Sequence, residues 1–409
     1  MSSGKWSSLL NKLVNKIVKR ILLTLLILIA VAAVLVGGLL AAGVIHTSSI
    51  KMMLNIQYGM QGEPASEAQV HGTLRAPDGF RVTLFAQVPQ ARLLRFTAAG
   101  DLLVSRPHAG DIVLLRPDGN SDGVSDASHT VIDNLNYPHG MDFYDGWLYI
   151  AEHDQVGRIR FDDAQGRTIG KYQPMLTGLT SNGVHWSKTL RLGADGLFYL
   201  SQGSTCNVCE EVDERRATIM RFHPDGSRPE IYATGLRNSI GFDWAPWNGG
   251  LFATDNGRDL LGDDFPPCEL NLIEQGQHYG WPYFNGDNVS DPDMGGTQPA
   301  GLLEPTAPVY KFRAHTAPIG ISFFDDDPPP GFERAALVAL HGSWNRSEPD
   351  GYEVISLHWS VQGIVERDFL TGFLDDGTVR GRPVDVVHGP EGAVYVSDDY
   401  AGAVYRIAP

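Results

Sequence analysis

Cysteine is nearly missing from this chain: three in 409 residues, which excludes a disulfide-stapled scaffold and a four-cysteine zinc site. Basic side chains are scarce as well, 32 Lys and Arg against 48 Asp and Glu for a net charge of -16, so no nucleic-acid partner is expected. Charge disappears altogether between Ile21 and Ile45. That run is long enough, at about 1.5 Å per residue, to cross a hydrocarbon core about 30 Å thick. Lys5, Lys12, Lys16, Lys19 and Arg20 precede it without a single acid, which leaves a charge of -21 on the remainder. The pattern predicts a cytoplasmic basic segment over 1–20 and one transmembrane helix over 21–45. The domain beyond it is placed on the periplasmic or extracellular side of the inner membrane. A cleaved signal peptide is the competing reading, but its apolar core usually runs only about 7 to 15 residues. Residues 46–72 show no period and read as a linker.

The rest of the chain repeats itself. A short apolar strand, a tight turn carrying Gly, often with Asp or Asn, a second apolar-aromatic strand, a polar loop and a third strand recur six times. The copies open near Leu94, Gly140, Leu190, Gly241, Gly320 and Val384. Each copy has period-2 alternation with hairpin turns, and none contains a convincing amphipathic helix. All-strand repeats of about 40 to 80 residues are propeller blades, because a four-stranded sheet buries both faces only against neighbouring sheets. The expected architecture is therefore all-β, a six-bladed propeller over 73–409, with the strand around Gly79–Ala86 completing the last blade and removing the free sheet edges. Longer inserts after the third and fourth copies mark the functional face.

Several loops carry chemistry. His185 precedes one blade strand, where an imidazole can act as a base. Arg237 and Asn238 precede another, a cation and an amide suited to an oxyanion or carboxylate. The segment from Thr254 to Asn271 is dense in carboxylates and exposed carbonyls, which hard cations prefer. Arg380 and Arg382 form a second basic cluster. Asp118, Asn120, Asp122 and Asp126 alternate around Gly123 as in the first nine positions of an EF-hand loop, although His129 stands where the closing Glu belongs, so a structural calcium loop and a polar hairpin both remain open. Cys206-Asn-Val-Cys209 is either a local disulfide or two thiols bracing a loop, with Cys268 left over.

Gly235-Leu-Arg-Asn238, Glu269-Leu-Asn-Leu-Ile273 with Tyr279-Gly-Trp-Pro282, the His185 segment ahead of Ala194-Asp-Gly-Leu-Phe-Tyr199, and Gly381-Arg-Pro-Val-Asp-Val-Val387 occur in an order that resembles the glucose/sorbosone dehydrogenase family. The likeness covers residues 75–409. It is nearest the sorbosone dehydrogenase branch, through Asp255-Asn-Gly-Arg-Asp259 and the Cys206–Cys209 segment. It implies a PQQ (pyrroloquinoline quinone) enzyme in which His185 takes the substrate hydroxyl proton while a hydride moves to the quinone. Arg237 and Asn238 would contact the quinone oxygens. The Gly257 and Arg258 carbonyls would hold calcium, and Arg382, with Arg380 and Trp344 nearby, would face the cofactor. Ser343-Trp-Asn-Arg346 stands where the glucose-oxidising branch has a lysine. The implied partners are a sugar or polyol and an electron acceptor, a quinone or cytochrome, with the membrane reached through the amino-terminal helix. Two other classes compete: a non-enzymatic ligand-binding propeller, and a calcium-dependent lactonase or other hydrolase in which His185 or His139 activates water.

Overall fold

The computed structural model describes residues 3–41, 47–302, 304–324 and 328–409. From Leu94 onward the chain folds into six four-stranded antiparallel sheets. Their first strands are Leu94–Phe96, Met141–Tyr144, Leu190–Leu192, Phe242–Trp244, Pro318–Phe323 and Pro383–His388, opening blades 1 to 6. Blade 6 takes its fourth strand, Arg81–Gln87, from the beginning of the domain, where it pairs with Ala403–Ala408. The expected six-bladed propeller and its closing strand are both present.

Strand alternation decides how the blades pack. In blade 1, Leu103, Ile112 and Leu114 face Leu148 and Ile150 of blade 2, whereas Leu102, Val104, Val113 and Leu115 face Tyr395 and Val404 of blade 6. Each sheet is thus apolar on both sides, and the core consists of layers between adjacent blades rather than one central mass. Every second blade is also stitched to the following blade near the axis. Asp142 accepts the N–H of Leu192 (2.8 Å), Asp243 that of Phe323 (2.9 Å) and Asp385 that of Leu94 (2.9 Å). Arg95 pairs with Asp142 at 2.6 Å and Arg191 with Asp243 at 3.1 Å, so these buried carboxylates have partners.

The amino-terminal region departs from expectation. One helix runs Ser3–Ala41, taking in the basic segment together with most of the apolar run. Among the described residues no helix is long and apolar enough to cross a membrane. The helix is continuous through the basic segment, so Lys5, Lys12, Lys16, Lys19 and Arg20 lie on the same helix as the apolar residues. The reading of a transmembrane helix over 21–45 is therefore corrected to a helix over Ser3–Ala41, with residues 42–45 outside the described residues.

Contacts divide the chain into Met1–Lys51 and Met52–Pro409. The linker expected over 46–72 is not featureless. Helices occupy Thr47–Tyr58 and Glu67–Thr73, the second capped by Ser66, which accepts the Gln69 N–H. Met52, Ala65 and Val70 are buried against blades 5 and 6. Gly62 and Ala65 donate backbone N–H groups to Tyr400 and Ala401 at 2.9 and 3.0 Å.

Candidate active site

The loops that lead into first strands and those that follow second strands meet at one end of the ring, where they line a cavity. His185, Arg237, Asn238, Gly257, Trp344 and Arg382 all reach it, so the structure brings together most of the side chains singled out in the sequence.

His185 is positioned by the loop after the second strand of blade 3. Its Nδ1 lies 3.0 Å from the Ser204 carbonyl oxygen and 2.9 Å from Ser204 Oγ. That hydroxyl donates its proton to Cys206 O at 2.7 Å, so both Ser204 oxygens are acceptors toward the ring. Nδ1 must then carry the hydrogen, which leaves the lone pair on Nε2. Burial and the neighbouring Arg237 and Arg216 charges hold the imidazole well below its ordinary pKa, so it is a neutral base. Gly203 allows this crowding, since a Cβ there would stand 2.4 Å from Asn238 Oδ1 and 2.7 Å from His185 Cβ.

Arg237 and Asn238 are presented by a turn whose two N–H groups both bind the Asp255 carboxylate, at 2.9 and 2.6 Å. The Arg237 guanidinium is saturated. Nε donates to Asn207 O, Nη1 to the carbonyls of Asn256 and Gly257, and Nη2 to Asn207 Oδ1 and Asp259, all within 2.9–3.1 Å. It offers the cavity a fixed positive charge rather than a spare donor.

Arg382 is fully buried. It donates to the carbonyls of His341 (3.0 Å) and Gly342 (3.0 Å), to Asn55 Oδ1 (2.8 Å) and to Met52 O (3.4 Å). None of these acceptors is a carboxylate. Asn55 belongs to the helix Thr47–Tyr58, and the next residue, Ile56, lines the cavity.

Other expected residues lie elsewhere. Arg380 turns outward to Asp375 at 3.7 Å. The Arg258 side chain points away into a buried pair with Asp291 at 2.8 Å and reaches Asp293 at 2.9 Å, so only its backbone could serve the cavity. In the Asp118 loop the carboxylates bind backbone instead of converging: Asp118 accepts from Asp122 and Gly123, Asp122 from Val124, and Asp126 from Gly119. Among the described residues, the only group of three or more His, Cys, Asp and Glu side chains whose ligand atoms gather within 4.8 Å is Cys206, Cys209 and Glu211. Cys206 and Cys209 are joined in a disulfide, while Cys268 is free and buried. His139 is buried outside the cavity, with Nδ1 3.3 Å from the Lys188 carbonyl.

The structure adds residues that sequence reasoning missed. Arg92 binds Asp399 at 2.7 Å, and Asp399 also accepts from His341 Nε2 at 3.0 Å. Burial opposes ionisation of Asp399, yet His341, Arg92 and Arg382 hold its carboxyl below the usual carboxylate range. Asn345 reaches the cavity through the Ser343-Trp-Asn-Arg346 segment and donates to Asp259 at 2.9 Å. The buried amide oxygens of Asn238, Asn256 and Asn345 have no hydrogen-bond partner among the described residues. Three orphaned acceptors beside Arg92, Arg237 and Arg382 suit an anionic ligand that also carries N–H or O–H groups.

Residues 148–406, more than half of the chain, match the glucose/sorbosone dehydrogenase family. The chain belongs to this family. An uncharacterised protein of Borreliella burgdorferi is 27% identical over 83% of this chain and 92% of its own length. The aldose sugar dehydrogenase of Escherichia coli is 26% identical over 59% of this chain and 64% of that one. The PQQ-dependent pyranose dehydrogenase of Coprinopsis cinerea is 25% identical over 82% of this chain, which spans only 54% of that relative. The holo PQQ domain of a Coprinopsis cinerea pyranose dehydrogenase superposes with a TM-score of 0.68 at 23% identity, covering 82% of this chain and 97% of that domain. A carbohydrate-active enzyme of Trichoderma reesei gives 0.69 at 22% identity, over 82% of this chain and 97% of that one. At such identity the superpositions establish the propeller fold.

Titratable groups buried in the propeller, His341 of the cavity wall among them, make its stability depend on pH. His341 is driven down to about 4 by burial and the Arg382 charge, and burial alone drives His388 down to about 4. His153 is likewise lowered to about 4. Unfolded histidines titrate near 6.5, so these three contribute stability above that pH which is lost as pH falls toward 4. Asp385 and Asp398, raised by burial to about 6, act the other way, gaining stability as pH falls through 6. Asp255 and Glu269, raised by burial to about 7 and about 8, act in the same direction as those two carboxyls, so a single group is read from the difference between parent and variant. His388→Gln removes one group whose contribution is lost as pH falls, so the melting temperature of the parent relative to the variant should fall between pH 6.5 and 4.5, which melting curves of both across the range would measure.

Proposed function

We propose that this chain is a PQQ-dependent dehydrogenase that oxidises a hydroxyl or aldehyde hydrate of a sugar. The observation that carries the reading is a neutral His185 with its Nε2 lone pair free in a cavity walled by three guanidinium groups and unpaired amide oxygens. A hydrolase would need carboxylates converging on a metal, and among the described residues the wall has one carboxylate, Asp259, already bound to Arg237 and Asn345. Curated relatives named as aldose and pyranose dehydrogenases support the same class. The sorbosone branch is favoured within it by the Cys206–Cys209 segment and Asp255-Asn-Gly-Arg-Asp259.

Arg92 and Arg382 would hold the carboxylates of bound PQQ, and Arg237 and Asn238 would face its quinone oxygens. The chemistry such a quinone would supply is a two-electron acceptor for the hydride of the sugar carbon. His185 Nε2 takes the hydroxyl proton, and the Arg237 charge stabilises negative charge as it develops. Calcium is proposed at the Gly257 and Arg258 carbonyls. Gly257 O retains one lone pair beside its bond from Arg237. A disulfide persists in oxidising compartments, which supports a domain outside the cytoplasm delivering electrons to a quinone or cytochrome.

The full chain should be titrated with PQQ, with and without calcium, following tryptophan fluorescence and then dye reduction with a panel of aldoses. Saturable quenching with aldose-dependent dye reduction is expected. Absence of PQQ binding at every calcium level would overturn the reading in favour of a binding module.

A further inference from the structure

The loop between the second and third strands of blade 3 holds both candidate catalytic groups, through different residues. Ser204 fixes His185, as described above. Asn207 does the same for Arg237, accepting from Nε at its carbonyl and from Nη2 at Oδ1, each at 2.9 Å. Asn207 Oδ1 also takes the Asp259 N–H at 2.8 Å, and its Nδ2 donates to Asp259 O at 3.1 Å. Trp281 Nε1 approaches the same Asn207 carbonyl at 3.3 Å. One side chain thus binds the guanidinium and the backbone on either side of Asp259, whose carboxylate is the other partner of Nη2. Only an amide can do this, since Asp lacks the donor and would set a second carboxylate against Asp259. Cys206 and Cys209 close a four-residue ring around Asn207, which lowers the entropy of holding it in place.

We infer that Asn207, held in the loop closed by the Cys206–Cys209 disulfide, is the positioning residue that fixes the Arg237 guanidinium in the cavity wall. The consequence for catalysis rests on the function proposed above, whereas the positioning itself does not. Nothing else along Arg237 could take over, because the remaining acceptors serve Nη1 and one hydrogen of Nη2.

The test uses the full chain without cofactor. Phenylglyoxal modification of Arg237 is followed by peptide mass spectrometry in the parent, in Asn207→Ala and in Cys206→Ser/Cys209→Ser. Asn207→Ala keeps the backbone carbonyl that accepts from Nε but removes the charge-assisted bond from Nη2 and both side-chain bonds to the Asp259 backbone, which should raise the Arg237 rate by about tenfold. The double serine variant, which keeps the bonds but opens the ring, should show a smaller rise. An Arg237 rate unchanged in both variants would overturn the inference, and so would a rise at Arg237 matched by equal rises at Arg92 and Arg382, which marks general loosening. With PQQ and an aldose, Asn207→Ala should lower kcat more than it raises KM and leave the pH profile set by His185 in place. Failure of the parent to bind PQQ would overturn the proposed function while the labelling still decides the role of Asn207.

Discussion

His185→Ala should lower kcat by between about 10²- and 10⁴-fold while changing PQQ affinity little, because a positioned general base contributes on that scale. Its Nδ1 is tied to Ser204, so the ring reaches the cavity with Nε2 as the basic atom, and the substitution removes that atom without touching the cations of the wall. The fold should survive. His185 donates one hydrogen bond, and the Ser204 carbonyl still accepts from Arg216 at 3.0 Å. Burial and two nearby guanidinium groups keep the imidazole neutral, so the acid limb of the kcat profile should lie well below pH 6.5, and raising the pH through 6.5 should bring no further gain. The check is kcat, KM and PQQ affinity measured side by side for parent and variant across pH. A variant that loses PQQ binding in proportion to activity would make His185 a cofactor ligand instead.

The blades were legible because hairpin chemistry is local. Ala194-Asp-Gly-Leu-Phe-Tyr199 announces a turn and a strand within six residues, and a glycine-bearing turn stands ahead of the second strand in each of the other copies. His185, Arg237 and Asn238 were legible for a related reason, standing in short segments just ahead of first strands, which the propeller brings to one end. Arg92 and His341 were not. Each is an ordinary residue locally, and what makes them a unit is Asp399, 307 positions from Arg92 and 58 from His341. Arg380 and Arg382 look equivalent in sequence, but with one residue between them one meets the Asp375 turn and the other the interior. The Asp118 loop was ambiguous for a chemical reason: the Asp, Asn and Gly that suit calcium also suit turns in which carboxylates cap backbone N–H groups, and that is how they are used. The helix Thr47–Tyr58 has only weak amphipathic character, so its role depends on Met52 and Asn55 finding partners near residue 382.

Those partners set the second large effect. Arg382→Ala would leave two backbone carbonyls, His341 O and Gly342 O, and the Asn55 amide oxygen buried without a donor, together with the weaker contact to Met52 O. Stranding several buried acceptors costs on the order of 3 to 5 kcal/mol, a large share of the stability of an ordinary domain. Arg382→Lys should recover the charge but little of the stability, because an ammonium group cannot span acceptors arranged around a planar fork. Asn55→Ala removes the acceptor for Arg382 together with the amide's own bond to Met60 O at 3.0 Å, and should cost about 2 kcal/mol, the scale of two hydrogen bonds. It also leaves one guanidinium N–H of a cavity-lining residue without its acceptor. If Arg382 faces an anionic cofactor, Asn55→Ala should therefore tighten PQQ binding while lowering the melting temperature. Urea unfolding and PQQ titration of the three variants measure both quantities. A destabilised Asn55→Ala with unchanged PQQ affinity would mean that Arg382 belongs to the packing of the helix against the propeller and not to the cofactor site.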